Sequence, residues 1–258
     1  MTTSAREFHT GLLAIALIGS LTLGGCSTAP VQKGEPIAPQ YSPKDILQPG
    51  VVYASDELSD PWEGFNRTMY RFNYRFDKYL FLPAVRGYQW VVPDFFQARF
   101  RDFFNTWKRD FSTLYNSALQ LSPDKTLDTA GRMLVNVTLG LLGFFDWATP
   151  MGIPVHQEDF GQTLGYWGSP SGPYLVLPIL GPSSVRDGVG LGVDWFARTE
   201  LRNRTTDLET WQESTWTIVD ALDTRAQVAF RYYETGSPFE YDWVKLLYTT
   251  KRKLDIEK

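Results

Sequence analysis

Residues 93–120 read PDFFQARFRDFFNTWKRDFSTLYNSALQ. Phe96, Phe100, Phe103, Trp107, Phe111, Leu114 and Ala118 recur at steps of three and four, the spacing of one helical face. At 1.5 Å per residue the helix would be roughly 40 Å long, enough to cross a bilayer. Arg99, Arg101, Asp102, Lys108, Arg109 and Asp110 forbid the crossing, because several charges at the bilayer centre cost more than the stripe gains. Such a helix packs on a soluble core or lies in a membrane interface. Periodicity alone gives the soluble core a small edge.

Downstream, Ser122-Pro123-Asp124 opens a further helix with Leu127, Ala130, Met133, Leu134 and Val137 on its apolar face. No charge interrupts Met133 to Phe145, yet that run is too short to span and fits a buried or re-entrant segment. It contains Leu139-Gly140-Leu141-Leu142-Gly143-Phe144-Phe145-Asp146, where the glycines suggest a hairpin or a close backbone approach. Residues 149–192 are rich in Gly and Pro, so long regular elements are not expected there, although Tyr174-Leu175-Val176-Leu177 suits a short extended piece. Helices follow from about Thr215 to Glu234 and from Ser237-Pro238-Phe239-Glu240 onward, the latter running into a charged tail at 251–258. Upstream, Asp60-Pro61-Trp62-Glu63 reads as a helix start, with Asp60 as cap and Pro61 in the first turn. Phe65, Met69, Phe72, Phe76 and Leu80 form its stripe, and Pro83 and Gly87 punctuate it. No ladder of alternating strands appears, which excludes an outer-membrane β-barrel. The fold class is mainly α.

The N-terminus has a separate character. Leu12 to Leu23 is apolar and uncharged, too short for a permanent spanning helix, and ends in Leu23-Gly24-Gly25-Cys26. A branched apolar residue, two small residues and a cysteine make a lipobox. Residues 1–25 are therefore expected to be a lipoprotein signal peptide, with Cys26 acylated. Cys26 is the only cysteine in 258 residues, and an exported protein has reason to avoid a spare thiol unless it is modified. By resemblance to lipoprotein sorting rules, a residue other than Asp in the next position, here Ser27, is expected to favour the outer membrane. Residues 26–59 carry Pro30, Pro36, Pro39, Pro43 and Pro49 and read as a linker whose coil reach is on the order of 30 Å. The helical domain occupies 60–250.

The formal charge of -4 and the absence of long basic tracts point away from nucleic acid. The 9 Trp, 13 Tyr and 17 Phe are more telling, since Trp and Tyr accumulate where one end of a side chain is apolar and the other wet. Catalytic groups are scarce. Beyond the signal, His156 is the only histidine, and Gly168-Ser169-Pro170-Ser171-Gly172 lacks the glycine spacing of a nucleophile elbow. Glu158 and Asp159 follow His156 too closely in a loop to converge on one metal. Gly188-Val189-Gly190-Leu191-Gly192 has Val193 where a nucleotide loop would place its third glycine, so helix or turn packing explains it better. No catalytic residue, metal site or cofactor is assigned.

Several segments together resemble one family, the MlaA (VacJ) lipoproteins of the outer-membrane phospholipid transport system. They are Asp60-Pro61-Trp62-Glu63-Gly64-Phe65-Asn66-Arg67, the glycine segment 139–146, Phe160-Gly161-Gln162-Thr163-Leu164-Gly165, Gly172-Pro173-Tyr174, Gly181-Pro182-Ser183-Ser184-Val185-Arg186-Asp187 and Thr224-Arg225-Ala226. The resemblance implies a ring of amphipathic helices sunk in the periplasmic leaflet of the outer membrane, beside a trimeric porin. It implies an amphipathic channel that removes phospholipids strayed into the outer leaflet and hands them to a periplasmic carrier of the MlaC type, keeping the membrane asymmetric. Gly140, Leu141, Leu142, Gly143 and Phe144 become the expected channel or gate residues. Two rival readings are a lipid-anchored hydrolase using His156 and a structural adaptor of porins.

Overall fold

The protein is represented by a computed structural model that describes Leu58, residues 60–206 and residues 209–257. The signal segment, Cys26 and nearly all of the linker lie outside the described residues.

Helix α1 (Glu63–Phe76), a π-turn (Asp77–Phe81) and α2 (Leu82–Val91) form one continuous rod. Pro83 does not break it. Proline lacks an N–H and crowds the carbonyl four residues back, here Tyr79. Tyr79 lies in the widened π-turn, which supplies the room. Asp60 does not cap α1. Its carboxylate instead accepts from Asn66 Nδ2 at 2.7 Å and from the Tyr241 hydroxyl.

The expected long helix is α3 (Asp94–Phe104), a second π-turn (Asn105–Asp110) and α4 (Phe111–Leu119). Helix α5 (Pro123–Thr138) leads into the glycine segment. The Gly/Pro-rich region is more regular than expected. It holds α6 (Phe160–Tyr166), an antiparallel hairpin of β1 (Tyr174–Leu177) and β2 (Gly181–Ser184), and the start of α7 (Val185–Thr205). Ser184 caps α7 by accepting from Asp187 N, and Gly190 inside α7 serves a close crossing. A β-carbon on Gly190 would lie 2.3 Å from Gly161 N of α6. Helix α8 (Thr210–Gln227) begins and ends earlier than expected. Glu209 and Gln212 form a capping box at its start, and Arg225 ties down the Val228 and Phe230 carbonyls past its end. Helix α9 (Glu240–Glu257) continues through residues 251–257.

The packing runs in a closed circuit. The α1 rod lies on β1, β2 on α9, α9 on α6, α6 on α4, and α8 bridges α3 back to α2. Around this circuit burial is inverted. Asn66, Asn73, Asp77, Asp110, Asn116, Arg132, Asn136 and Asp194 are all buried, whereas Phe65, Phe72, Leu80, Phe96, Leu127 and Leu134 are exposed. On α5 the buried residues are Thr129, Arg132 and Asn136, while Leu134 on the apolar face is 66% exposed. The preference for a soluble core is thus overturned. Periodicity shows that a helix has two faces but not which of them points inward. A small aromatic core remains where Tyr70 meets Tyr232, Tyr233 and Tyr241 edge to face at 5.0–5.7 Å. No helix of the described residues is long and apolar enough to cross a membrane.

Candidate functional site: a glycine hairpin on a polar interior

After α5 the chain reverses within a few residues. Leu142 N donates to Val137 O, Gly143 N to Asn136 O and Phe145 N to Gly140 O, each at 2.9 Å. Leu141, Leu142 and Gly143 have φ of 51°, 60° and 96°, three successive residues in the left-handed region. For a leucine that region costs about 1–2 kcal/mol, and here two adjoin with exposed side chains. The surroundings hold them there. Trp107 Nε1 donates to Leu142 O at 2.9 Å, the Phe144 ring stacks on Phe103 at 4.7 Å, and Arg99 lies 4.4 Å above Phe145.

Contact requires glycine at 140, and the backbone conformation favours it at 143. A β-carbon on Gly140 would sit 2.1 Å from Phe145 O and 2.3 Å from Asn136 O, backbone atoms that cannot swing aside. One on Gly143 would meet Thr106 Cβ at 3.0 Å. The five residues singled out from the sequence therefore form one compact turn docked on the second π-turn.

Under the turn lies a polar knot that the sequence reading did not single out. Asp146 accepts from Arg132 Nη2 at 3.0 Å, from Asn136 Nδ2 at 3.1 Å and from Thr149 N at 3.1 Å. Burial pushes its carboxyl up, but hydrogen bonds from Thr149 and Asn136 together with the Arg132 charge hold it below its ordinary value. Arg132 is 1% exposed and also donates from Nη1 to Ile153 O at 2.8 Å. Its Nε faces Asp110 Oδ2 at 3.8 Å, and neither atom has a hydrogen-bond partner. Burial pushes the Asp110 carboxyl up despite Arg109 and Arg132 beside it. The signal was present in the sequence: Arg132 and Asn136 stand four apart on α5, opposite its apolar stripe.

Similar knots join the other elements. Arg225 grips Asp77 through Nε and Nη2 at 2.6 and 2.7 Å, linking α8 to the first π-turn. Asn116 of α4 donates to Asp194 of α7 at 3.1 Å and accepts from Thr163 of α6 at 2.8 Å. Arg252 of α9 binds both Asp159 and Asp187 at 2.7–3.0 Å.

His156 pairs with Asp128 at 2.9 Å and is partly exposed. Its sequence neighbours diverge, Glu158 to Lys125 at 2.7 Å and Asp159 to Arg252. Gly188, Gly190 and Gly192 lie inside α7, where Gly190 makes the crossing with α6, as packing rather than nucleotide binding requires.

Residues 58–255 match the family model described as MlaA lipoprotein. The intermembrane phospholipid transport system lipoprotein MlaA of Escherichia coli (strain K12) is 33% identical over 176 residues, covering 66% of this chain and 67% of that protein. The Haemophilus influenzae protein of the same name is 34% identical over 142 residues, covering 54% and 56%. An uncharacterised protein of Rickettsia prowazekii is 40% identical over 131 residues, 51% of this chain and 52% of that one. The chain thus spans about half the length of the Rickettsia relatives it matches. A solved structure described as the structural basis for maintenance of bacterial outer membrane lipid asymmetry superposes with a TM-score of 0.60 at 28% identity, covering 77% of this chain and 99% of that one. Since the matched span takes in every element from α1 to the body of α9, the glycine hairpin included, the chain belongs to the MlaA lipoprotein family.

Proposed function

We propose that this protein moves phospholipids out of the outer leaflet of the outer membrane and hands them to a periplasmic carrier of the MlaC type. The observation that supports this most is the inverted burial. A phospholipid has apolar tails and a charged head, and this fold turns apolar side chains outward and hydrogen-bonding groups inward. Sunk in the periplasmic leaflet, the outer faces meet acyl chains while the interior offers a headgroup a polar route. Acylated Cys26 holds the chain to that leaflet, and a trimeric porin beside it gives access to the opposite one. The hairpin at residues 140–144 is the gate: two strained leucines bear on a turn fixed by a few removable contacts. The E. coli and H. influenzae relatives carry the name of a phospholipid transport system, which agrees with this assignment.

The test is the lipid content of the outer leaflet. Cells lacking the protein should show more phosphatidylethanolamine accessible to an impermeant amine reagent, and the restored gene should return it to the starting level. The lipid should leave intact. An unchanged accessible pool would overturn translocation, and release of fatty acid would favour the hydrolase.

A further inference from the structure

Helix α1 divides into three lengthwise sectors, because successive residues step by about 100°. Asn66, Tyr70, Asn73 and Asp77 share one sector and are buried, bonded to Tyr174 O, Glu240, Leu177 O and Arg225. Phe65, Phe72 and Leu80 share a second and are exposed. Arg67, Arg71 and Arg75 fill the third. The only carboxylate in α1 is Glu63, already paired to Arg67 at 2.6 Å, and Arg67 also binds Asp242 at 2.9 Å. Arg71 and Arg75 are exposed, and no carboxylate of the described residues pairs with either; Arg71 Nε merely donates to Arg67 O at 3.3 Å. In a chain of net charge -4, two guanidiniums with no carboxylate partner among the described residues thus stand one turn apart beside an outward aromatic stripe.

We propose that Arg71 and Arg75 form a binding surface for the phosphates of anionic phospholipid headgroups in the surrounding leaflet. The inference rests on the leaflet placement proposed above and adds to it a depth, a face and a lipid class. With Phe65 and Phe72 among acyl chains, the neighbouring sector lies at the level of the phosphates. A guanidinium offers a phosphate two parallel N–H donors, and its attraction grows when the headgroup carries net negative charge. The simpler alternative is a solvated basic face with no lipid preference.

The acylated full chain, reconstituted into phosphatidylcholine vesicles, separates these readings when traces of spin-labelled phosphatidylglycerol or phosphatidylcholine report the motionally restricted lipid at its surface. The expected result is restricted lipid in both cases, with phosphatidylglycerol preferred severalfold, up to about fivefold per cation. R71Q/R75Q should bring the preference to near unity at unchanged thermal stability, and high salt should do the same to the native chain. Equal retention of both lipids would overturn the proposal while leaving the leaflet placement intact. Absence of restricted lipid for either probe would overturn both. Loss of the preference with inorganic phosphate at constant ionic strength would also overturn it, by making the row a site for the free anion.

Discussion

Single side chains in this interior stabilise less by their presence than they would destabilise by their loss. Asp77 and Arg225 are both buried and joined by two short hydrogen bonds. Removing one partner strands the other charge, so Asp77→Asn should cost about 3–5 kcal/mol, whereas Asp77→Leu with Arg225→Met should recover much of that. Thermal unfolding in detergent measures both; a negligible effect of the single change would refute the pairing. The glycines give a matched pair of expectations. Gly140→Ala drives a methyl into Phe145 O and should destabilise by at least about 1–3 kcal/mol. Gly131→Ala in α5 meets nothing within 4 Å and should be neutral or stabilise by up to about 1 kcal/mol through helix propensity. His156→Ala should leave lipid transport near normal; a loss of about a hundredfold in an intact fold would restore the case for a general base. The hairpin glycines were legible in the sequence because glycine is conspicuous in an apolar run. Asp110 and Arg132 were passed over, because a charged residue on an amphipathic helix reads as the solvated face, although Arg132's place opposite the apolar stripe was there to be read.

At the scale of elements, the hairpin and the second π-turn define the experiment that separates gate from static packing. A β-carbon on Gly143 would lie 3.0 Å from that of Thr106, within about 1 Å of the usual disulfide span. Thr106→Cys with Gly143→Cys should block transport when oxidised and release it when reduced, if the segment moves. Restoration by reductant separates the lock from the strain of a side chain at φ 96°. Unimpaired clearance of outer-leaflet phospholipid in the oxidised protein would remove the gate and leave the family assignment standing. The extent of α3 to α4 was legible within a residue or two because its stripe is long and regular. The start of α7 was not, since Gly188, Gly190 and Gly192 weaken a helix locally, and only for Gly190 does the crossing with α6 give the reason. Pro83 misled for a related reason: a π-turn one step upstream cannot be seen in residue spacing.

For the whole molecule, closure of the circuit depends on α9, and α9 is fastened by charge. Burial alone would raise the Asp187 carboxyl, but hydrogen bonds from Arg252 and Tyr248 bring it down to about 2. Because that value lies below the ordinary 3.8, the stability Asp187 contributes is present above about pH 4 and is lost as pH falls toward 2. Melting temperature should drop across that window by the equivalent of about 2 kcal/mol, and Asp187→Asn should start lower and vary less. A native profile that stays flat from pH 4 to 2 would refute the assignment. The sequence showed amphipathic helices everywhere but not their sense, because spacing fixes which residues share a face and not what each face meets. That inversion bears on how the protein reaches its destination. Trp90, Trp195, Phe196 and Trp243, on three separate helices, are each more than half exposed, so the finished fold bears broad adhesive flanks in water. On the outer-membrane placement proposed above, a copy crossing an aqueous compartment must travel with those flanks shielded by an escort protein, or be lost to clumping before it meets lipid.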